Sequence, residues 1–449
     1  MSDNIQIDTK FIYHFTLLIS EKKTKSIKEV ITCLHAADVA DIIAKLPIKE
    51  ALFLFNIIEE KKSANILIEL ENKKRQDILS HLTPKEIAEN IIENLESDDA
   101  ADLIGSLPKE KKEKVLAHIE DIDYANDISD LLTYRKDTAG GLMAKELIKV
   151  NAQWTTIECL KQMRKQAEKI KKVYTIYVVD DKNILLGSLS LRKLLLAKKG
   201  SKIYNIINKD IISVKSSEDD QDVANTMSKY DLIALPVVDN QNRLIGRITL
   251  DDIIDVVKDE AEKDYQMASG ISEDIESNDT IWTVTRARLP WLIIGMIGGI
   301  LGAKVIGVFN IEENFELALF IPLIAAMGGN IGVQSAAIVV QGLANNSIKA
   351  ENILQQLIKE LCIGLFNGII CSSIILTCSL LLNYTISLSI TVSISLLVVI
   401  VFAALFGTSI PLILEKYKID PALATGPFIT TTNDILGLFI YFYIGSLIM

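Results

Sequence analysis

The chain has 449 residues, 49% of them hydrophobic and 23% charged, with a formal net charge of −11. Of its 105 charged side chains, 92 lie in residues 1–288 and 13 in the last 161, so the charged fraction falls from about 32% to about 8%. That split excludes a single soluble globular domain and reads as a soluble half joined to a membrane half; the acidic balance argues against nucleic acid as a partner, because neutralising phosphates takes clustered Lys and Arg.

Residues 1–20 are polar, without a signal-peptide pattern, and are expected to be a flexible N-terminus ahead of a cytosolic half. Residues 21–135 read as an all-α helical superstructure. Within it Leu34-His-Ala-Ala-Asp-Val-Ala-Asp-Ile-Ile-Ala-Lys-Leu-Pro47 recurs 61 residues later as Leu95-Glu-Ser-Asp-Asp-Ala-Ala-Asp-Leu-Ile-Gly-Ser-Leu-Pro108. Apolar residues return at helical spacing around turns that carry proline. Asp99 and Asp102 are three apart and share a helix face, with Asp98 adding a third charge. Such a face can hold a divalent ion, and a helix cap or a solvated face explains the same residues.

Residues 136–200 and 201–258 form a second repeat, an α/β pair. Tyr177-Val-Val-Asp-Asp-Lys-Asn-Ile-Leu-Leu-Gly187 parallels Pro236-Val-Val-Asp-Asn-Gln-Asn-Arg-Leu-Ile-Gly246 at an offset of 59. Each unit reads as helix, strand, turn, strand, helix, with Gly187 and Gly246 beginning the second strand. Neither holds a P-loop or a nucleophile–base pair, so the reading is regulatory and not enzymatic. The five cysteines, Cys33, Cys159, Cys362, Cys371 and Cys378, form no CxxC, which speaks against a disulfide framework or a zinc site. Residues 259–285 are expected to connect this pair to the membrane through a charged helix bearing Asp259, Glu260, Glu262, Lys263 and Asp264.

Residues 286–449 contain five apolar segments, roughly Leu289–Phe309, Leu317–Gln341, Ile358–Leu382, Ile386–Leu414 and Gly426–Ile448, each long enough to cross about 30 Å of hydrocarbon. Arg286, Arg288, Lys349, Lys359, Lys416 and Lys418 flank one set of ends, whereas Glu312, Glu313 and Glu316 lie in the first-to-second connection. Basic flanks mark the cytoplasmic side, so the N-terminus is expected inside and Met449 outside. Gly328-Gly329-Asn330 is expected to interrupt the second span and expose polar groups to a cavity. The fifth span carries Thr430, Thr431, Thr432, Asn433 and Asp434, and Asp434 is its ionisable residue at depth. A carboxylate there marks an ion path by default, although Thr and Asn also serve as helix–helix glue. One carboxylate per chain suits a cation that keeps its water, and two chains about an axis would double the ring of oxygens.

These segments together resemble a known family. Thr249-Leu-Asp-Asp252 after the last strand of the repeat is similar to a CBS domain pair. Pro322-Leu-Ile-Ala-Ala-Met-Gly-Gly-Asn-Ile-Gly-Val-Gln-Ser335 and Asp420-Pro-Ala-Leu-Ala-Thr-Gly-Pro-Phe-Ile-Thr-Thr-Thr-Asn-Asp434 resemble the second-span and final-span motifs of the MgtE-type magnesium transporters, and the Asp-rich early repeats resemble their N domain. The resemblance covers nearly the whole chain. It implies a homodimeric Mg2+ channel in a bacterial plasma membrane, importing Mg2+ and closed when cytosolic Mg2+ binds acidic faces of the N domain, CBS pair and connecting plug helix. It places Asp434 as the pore carboxylate, with Asn330, Ala424 and Thr431 contributing oxygens. It raises Asp99, Asp102, Asp259, Glu260 and Asp264 as sensor ligands, although Lys263 stands where the family has an acid. Asp252 matches a ribose-binding position, which implies ATP or another adenine nucleotide at the CBS pair; the first repeat has Lys193 there. The alternatives are a secondary transporter coupling a divalent cation to Na+ or H+, and a membrane-anchored sensor without transport.

Overall fold

A computed structural model describes residues 9–21, 23–168, 170, 172–272, 275, 279–309, 315–344, 347–348, 353–424 and 426–449. Glu312, Glu313 and Lys349 lie outside the described residues. The chain divides into two compact units, Met1–Lys258 and Asp259–Met449.

The first unit opens with short helices: α1 Thr9–Ser20, α2 Thr24–Cys33, α3 Ala36–Ala44, α4 Ile48–Ile57, α5 Glu60–Glu69, α6 Asn72–His81, α7 Pro84–Asn90, α8 Ser97–Gly105, α9 Lys109–Leu116 and α10 Ile122–Leu131. Residues 9–20 are therefore helical where a flexible lead was expected; Phe15 and Ile19 are buried in the domain core. Helices this short are marginal alone and are held by their ends and their packing. Thr83 Oγ1 accepts from Glu86 N while Glu86 returns the bond to Thr83 N, a capping box opening α7. Lysines close other ends. Lys62 Nζ donates to the carbonyls of Ile31 and Leu34, and Lys111 Nζ to those of Leu79 and Leu82. These carbonyls lie at helix C-terminal ends, where a cation is favoured.

The α/β pair follows: α11 Ala139–Leu142, β1 Ile148–Asn151, α12 Thr156–Ala167, β2 Ile176–Val179, β3 Leu185–Leu189 and α13 Leu191–Leu196, then β4 Val214–Lys215, α14 Asp220–Lys229, β5 Ala234–Val238, β6 Leu244–Thr249 and α15 Leu250–Ala268. Each repeat is a three-stranded sheet, β1-β2-β3 or β4-β5-β6, whose first pair is parallel and second antiparallel. The hairpin turns match. Asn183 and Asn242 adopt φ of 62° and 59°, and Asp180 and Asp239 accept backbone N–H groups across the turn. Leu185 N donates to Asn242 O, and Leu244 N to Asn183 O, which joins the two sheets at equivalent turns. Gly187 and Gly246 do not begin their strands but sit inside β3 and β6, opposite Val178 and Val237. A Cβ at Gly246 would meet Met143 Sδ at 2.6 Å, and one at Gly187 would meet the carbonyl of Asn208.

In the second unit five helices are each long and apolar enough to cross a membrane: α16 Ile281–Val308, α18 Ile321–Ala344, α19 Ile353–Leu381, α20 Ile386–Lys416 and α21 Pro427–Ile448, with the short α17 Phe315–Ala318 after the first. α16 begins eight residues before the apolar run and takes in Arg286 and Arg288. α20 is the central helix of the bundle, burying Val392, Val399, Ala403 and Gly407 among others. Its hydroxyls are used sparingly; Ser393 Oγ donates to Ser372 O of α19 at 2.8 Å. Tyr441 of α21, fully buried, donates to Leu317 O at 2.9 Å.

Gly328-Gly329-Asn330 does not interrupt its span. α18 is helical throughout, and the glycines instead admit neighbouring helices. A Cβ at Gly328 would stand 3.2 Å from Val399 Cγ1, and one at Gly329 would stand 3.1 Å from Thr430 Cγ2. Small residues permit this close approach of spans in lipid. The irregular backbone lies elsewhere, in the 3-10 turn Pro421–Ala424 and at Gly426, whose φ is 58°.

Candidate functional site

In the second unit α18 and α21 border a cavity of about 420 Å³ lined by Ala325, Ala326, Gly329, Asn330, Val333, Gln334, Thr430 and Asp434. Asn330 and Gln334 are one turn apart on α18, so their amides stack on a single face. Thr430 and Asp434 hold the same relation on α21. A Cβ at Gly329 would stand 3.5 Å from Asp434 Oδ1, so the absent side chain leaves the carboxylate room. Thr430 Oγ1 donates to Gly426 O at 3.0 Å and leaves its lone pairs to the cavity. The result is carbonyl, hydroxyl and carboxylate oxygen around one space between membrane helices, a hard-ligand surface suited to a hydrated cation.

The structure redistributes the expected pore residues. Asp434 and Asn330 line the cavity. Thr431 does not: it packs on Gly298 of α16, and the adjacent Thr430 takes the place facing Asp434. Ala424 ends the 3-10 turn ahead of α21. Gln334 is the residue that sequence reasoning left out of the site. Its spacing of four from Asn330 was the available signal.

A second feature lies in the first unit. Arg247, almost fully buried on β6, ion-pairs with Glu96 at 2.9 Å and donates to the carbonyl of Glu146. Ser97 at the start of α8 gives its N–H and hydroxyl to the two oxygens of Glu146. These bonds hold the N-terminus of α8 on the α/β pair and carry Asp98 up to Asp252. Burial, and then the nearby Asp252 and Asp99 charges, push the Asp98 carboxyl well above its ordinary range. Burial likewise pushes Asp252 up to about 6, even though its Oδ2 accepts from Thr249 N at 2.9 Å and Thr249 Oγ1 at 2.8 Å. Asp102 goes elsewhere: it is exposed and lies 3.8 Å from Lys136 Nζ. Asp98, read in the sequence only as an added charge, is the residue the fold aims at Asp252. Asp252 itself caps α15 through Thr249.

The third feature is the part of α15 that belongs to the second unit. Asp259 is exposed, whereas Glu260 and Asp264 are half-buried. Burial first, then the charges of Glu260 and Asp420, raise the Asp264 carboxyl. Lys263 lies 3.4 Å from Glu260. Burial works against its ammonium, but Glu260, Asp420 and Asp264 outweigh that and raise its pKa. Among the described residues no three His, Cys, Asp or Glu side chains converge tightly enough to hold a bare ion. Acidic pairs of this kind fit a cation that keeps most of its water, which is how Mg2+ binds to few carboxylates.

Comparison with known proteins gives one answer along the chain. The family model described as the MgtE intracellular N domain matches residues 34–137, CBS domain models match 139–200 and 203–259, and the MgtE divalent cation transporter model matches 321–444. The magnesium transporter MgtE of Bacillus subtilis is 31% identical over 448 residues, 99% of each chain. That of Enterococcus faecalis is 33% identical over 442 residues, 97% of each. Among solved structures, the cytosolic domain of the Mg2+ channel MgtE in complex with ATP is 31% identical with a TM-score of 0.51, covering 55% of this chain and 99% of that one.

Proposed function

The chain belongs to the MgtE family of divalent cation transporters, and from that premise we propose that it is a homodimeric Mg2+ channel whose conduction path runs past Asp434. The observation that carries this reading is the shared cavity of Asp434, Thr430, Asn330 and Gln334 between two spanning helices. An Mg2+ ion with six waters occupies on the order of 180 Å³, taking about 30 Å³ per water. A cavity of about 420 Å³ admits it hydrated. Asp434 supplies the attraction that offsets part of the desolvation cost in hydrocarbon. The amides and the hydroxyl hydrogen-bond to the ion's water shell, which lets the ion leave as well as enter. The basic flanks Arg286, Arg288, Lys359, Lys416 and Lys418 support an inside location for the N-terminus and an outside one for Met449.

Regulation falls to the acidic faces. Asp98 and Asp252 would hold one regulatory Mg2+, and Glu260, Asp264 and Asp420 a second; a bound cation supplies the positive charge that relieves their mutual repulsion. Removal of that charge leaves the carboxylates to repel one another, which favours loosening of the closed arrangement. Asp99 and Asp259 are flanking contributors to these faces. The likeness to an ATP-bound cytosolic domain supports an adenine nucleotide at the CBS pair, with Asp252 as its ribose contact.

The test is Mg2+ uptake by reconstituted vesicles. Wild-type protein should conduct without a coupling ion, reverse at the Mg2+ equilibrium potential, and lose at least about 90% of its flux in Asp434→Ala. A fixed stoichiometry with Na+ or H+ would instead establish coupled transport.

A further inference from the structure

Glu360 on α19 is a carboxylate buried to 5% exposure inside the membrane bundle, away from the cavity and outside every role assigned above. Burying such a group is costly unless it is bonded. Its partner is Ser335 of α18, 4% exposed, whose Oγ donates to Glu360 Oε1 at 2.6 Å. Ser335 follows Gln334 directly, so about 100° of helix rotation separates them. Gln334 and Asn330 face the cavity, and Ser335 lies on the adjoining, packed face with Gly328, Gly332 and Val339.

That packed face is made mostly of small residues, with Ile324 and Val339 as its bulkier members. Gly332 lies against the backbone of Gly407 on α20 and the side chain of Asn433 on α21, and Ala336 adds only a methyl group. Faces of small residues let helices approach closely, but offer few ridges to fix how far a helix is rolled about its axis. A short hydrogen bond to a carboxyl group in low dielectric does fix it.

We propose that Glu360 is a positioning residue of the cation path, locking the roll of α18 through Ser335 so that Asn330 and Gln334 face Asp434. This rests on the conduction reading above for its consequence, though not for its geometry. The roll is measurable without transport. In the full-length chain with its five cysteines replaced and Gln334→Cys added, a charged water-soluble thiol reagent should modify the introduced thiol readily. Adding Glu360→Leu or Ser335→Ala should slow that modification about tenfold, while Glu360→Gln, which still offers Ser335 a carbonyl oxygen, should stay within about twofold of the parent. In flux assays on the native-cysteine chain, Glu360→Leu and Ser335→Ala should raise the apparent KM for Mg2+ about fivefold or more, and Glu360→Gln should not. Should Glu360→Leu fail to fold, Ser335→Ala carries the test. Parental thiol reactivity in folded, monodisperse Ser335→Ala protein would overturn the proposal, as would a Glu360→Gln variant as slow as Glu360→Leu. If the thiol results hold but wild-type vesicles take up no Mg2+, the positioning role stands and the conduction reading falls.

Discussion

Gly332 and Gly407 show how little a single side chain must be for this bundle to close. A Cβ on Gly407 would overlap the carbonyl of Gly332, and one on Gly332 would overlap Asn433 Nδ2 and stand 2.8 Å from Ile429 Cγ2. Gly407→Ala is therefore expected to cost about 1–3 kcal/mol by overpacking and to lower both the Tm in detergent and the Mg2+ flux. Gly299→Ala, where a Cβ meets nothing within 4 Å, is the neutral control. Asp252 allows a cleaner substitution. Asp252→Asn keeps an oxygen for Thr249 and removes the charge beside Asp98. Millimolar Mg2+ should raise the Tm of the wild-type chain, by about 2.7 kcal/mol of linkage at a hundredfold excess over Kd, and should raise that of Asp252→Asn much less. Residue identity was legible at these sites to an uneven degree. Asp434 stood out because a carboxylate deep in apolar sequence is costly to bury and persists where it meets a cation or a polar cavity. Thr430 and Thr431 did not separate, because adjacent helical residues differ by rotation alone, and a run of three threonines carries no mark of which one faces the cavity.

At the scale of elements the helix termini are where charge stabilises the fold. The Glu86 carboxyl is held below its usual range by its bonds to the Thr83 N–H and hydroxyl. A lowered acid pKa contributes stability above the unfolded value and loses it as pH falls, so this cap should weaken below about pH 4.5. Thr83→Ala should cost about 1 kcal/mol at pH 7, read as a shift in denaturation midpoint, with a smaller difference between variant and wild type at about pH 3.5. The spans were the most legible elements, because a run of about twenty apolar residues is a local property. Their ends were less so. Residues 281–288 are polar enough to escape a hydropathy reading, yet they continue α16. Strands β1 and β4 were missed because they are short and pair in parallel with strands far along the chain, so their stabilisation is non-local. The expected break at Gly328-Gly329-Asn330 turned out to be a packing seam, since small residues serve both purposes and their sequence signature is the same.

At the scale of the whole molecule, the uneven charge of the chain becomes a division of labour between two compact units, residues 1–258 and 259–449. Deleting residues 1–270 should leave Mg2+ uptake that millimolar internal Mg2+ suppresses poorly; suppression equal to wild type in vesicles would refute the sensor role. Within the second unit one contact joins the end of α15 to the start of α21. Gly426 has a φ of 58°, and a Cβ there would overlap the carbonyl of Ala268; Gly270, at φ 78°, would drive a Cβ to 2.6 Å from Pro427 Cγ. Backbone thus rests on backbone where α15 ends and α21 begins. Eight residues separate Gly426 from Asp434, about 12 Å of helix at 1.5 Å per residue. For protein engineering under the gating proposed above, this makes Gly270 and Gly426 a handle of an unusual kind: a single added methyl group at either is expected to sever regulation from permeation while leaving every charge in the molecule untouched.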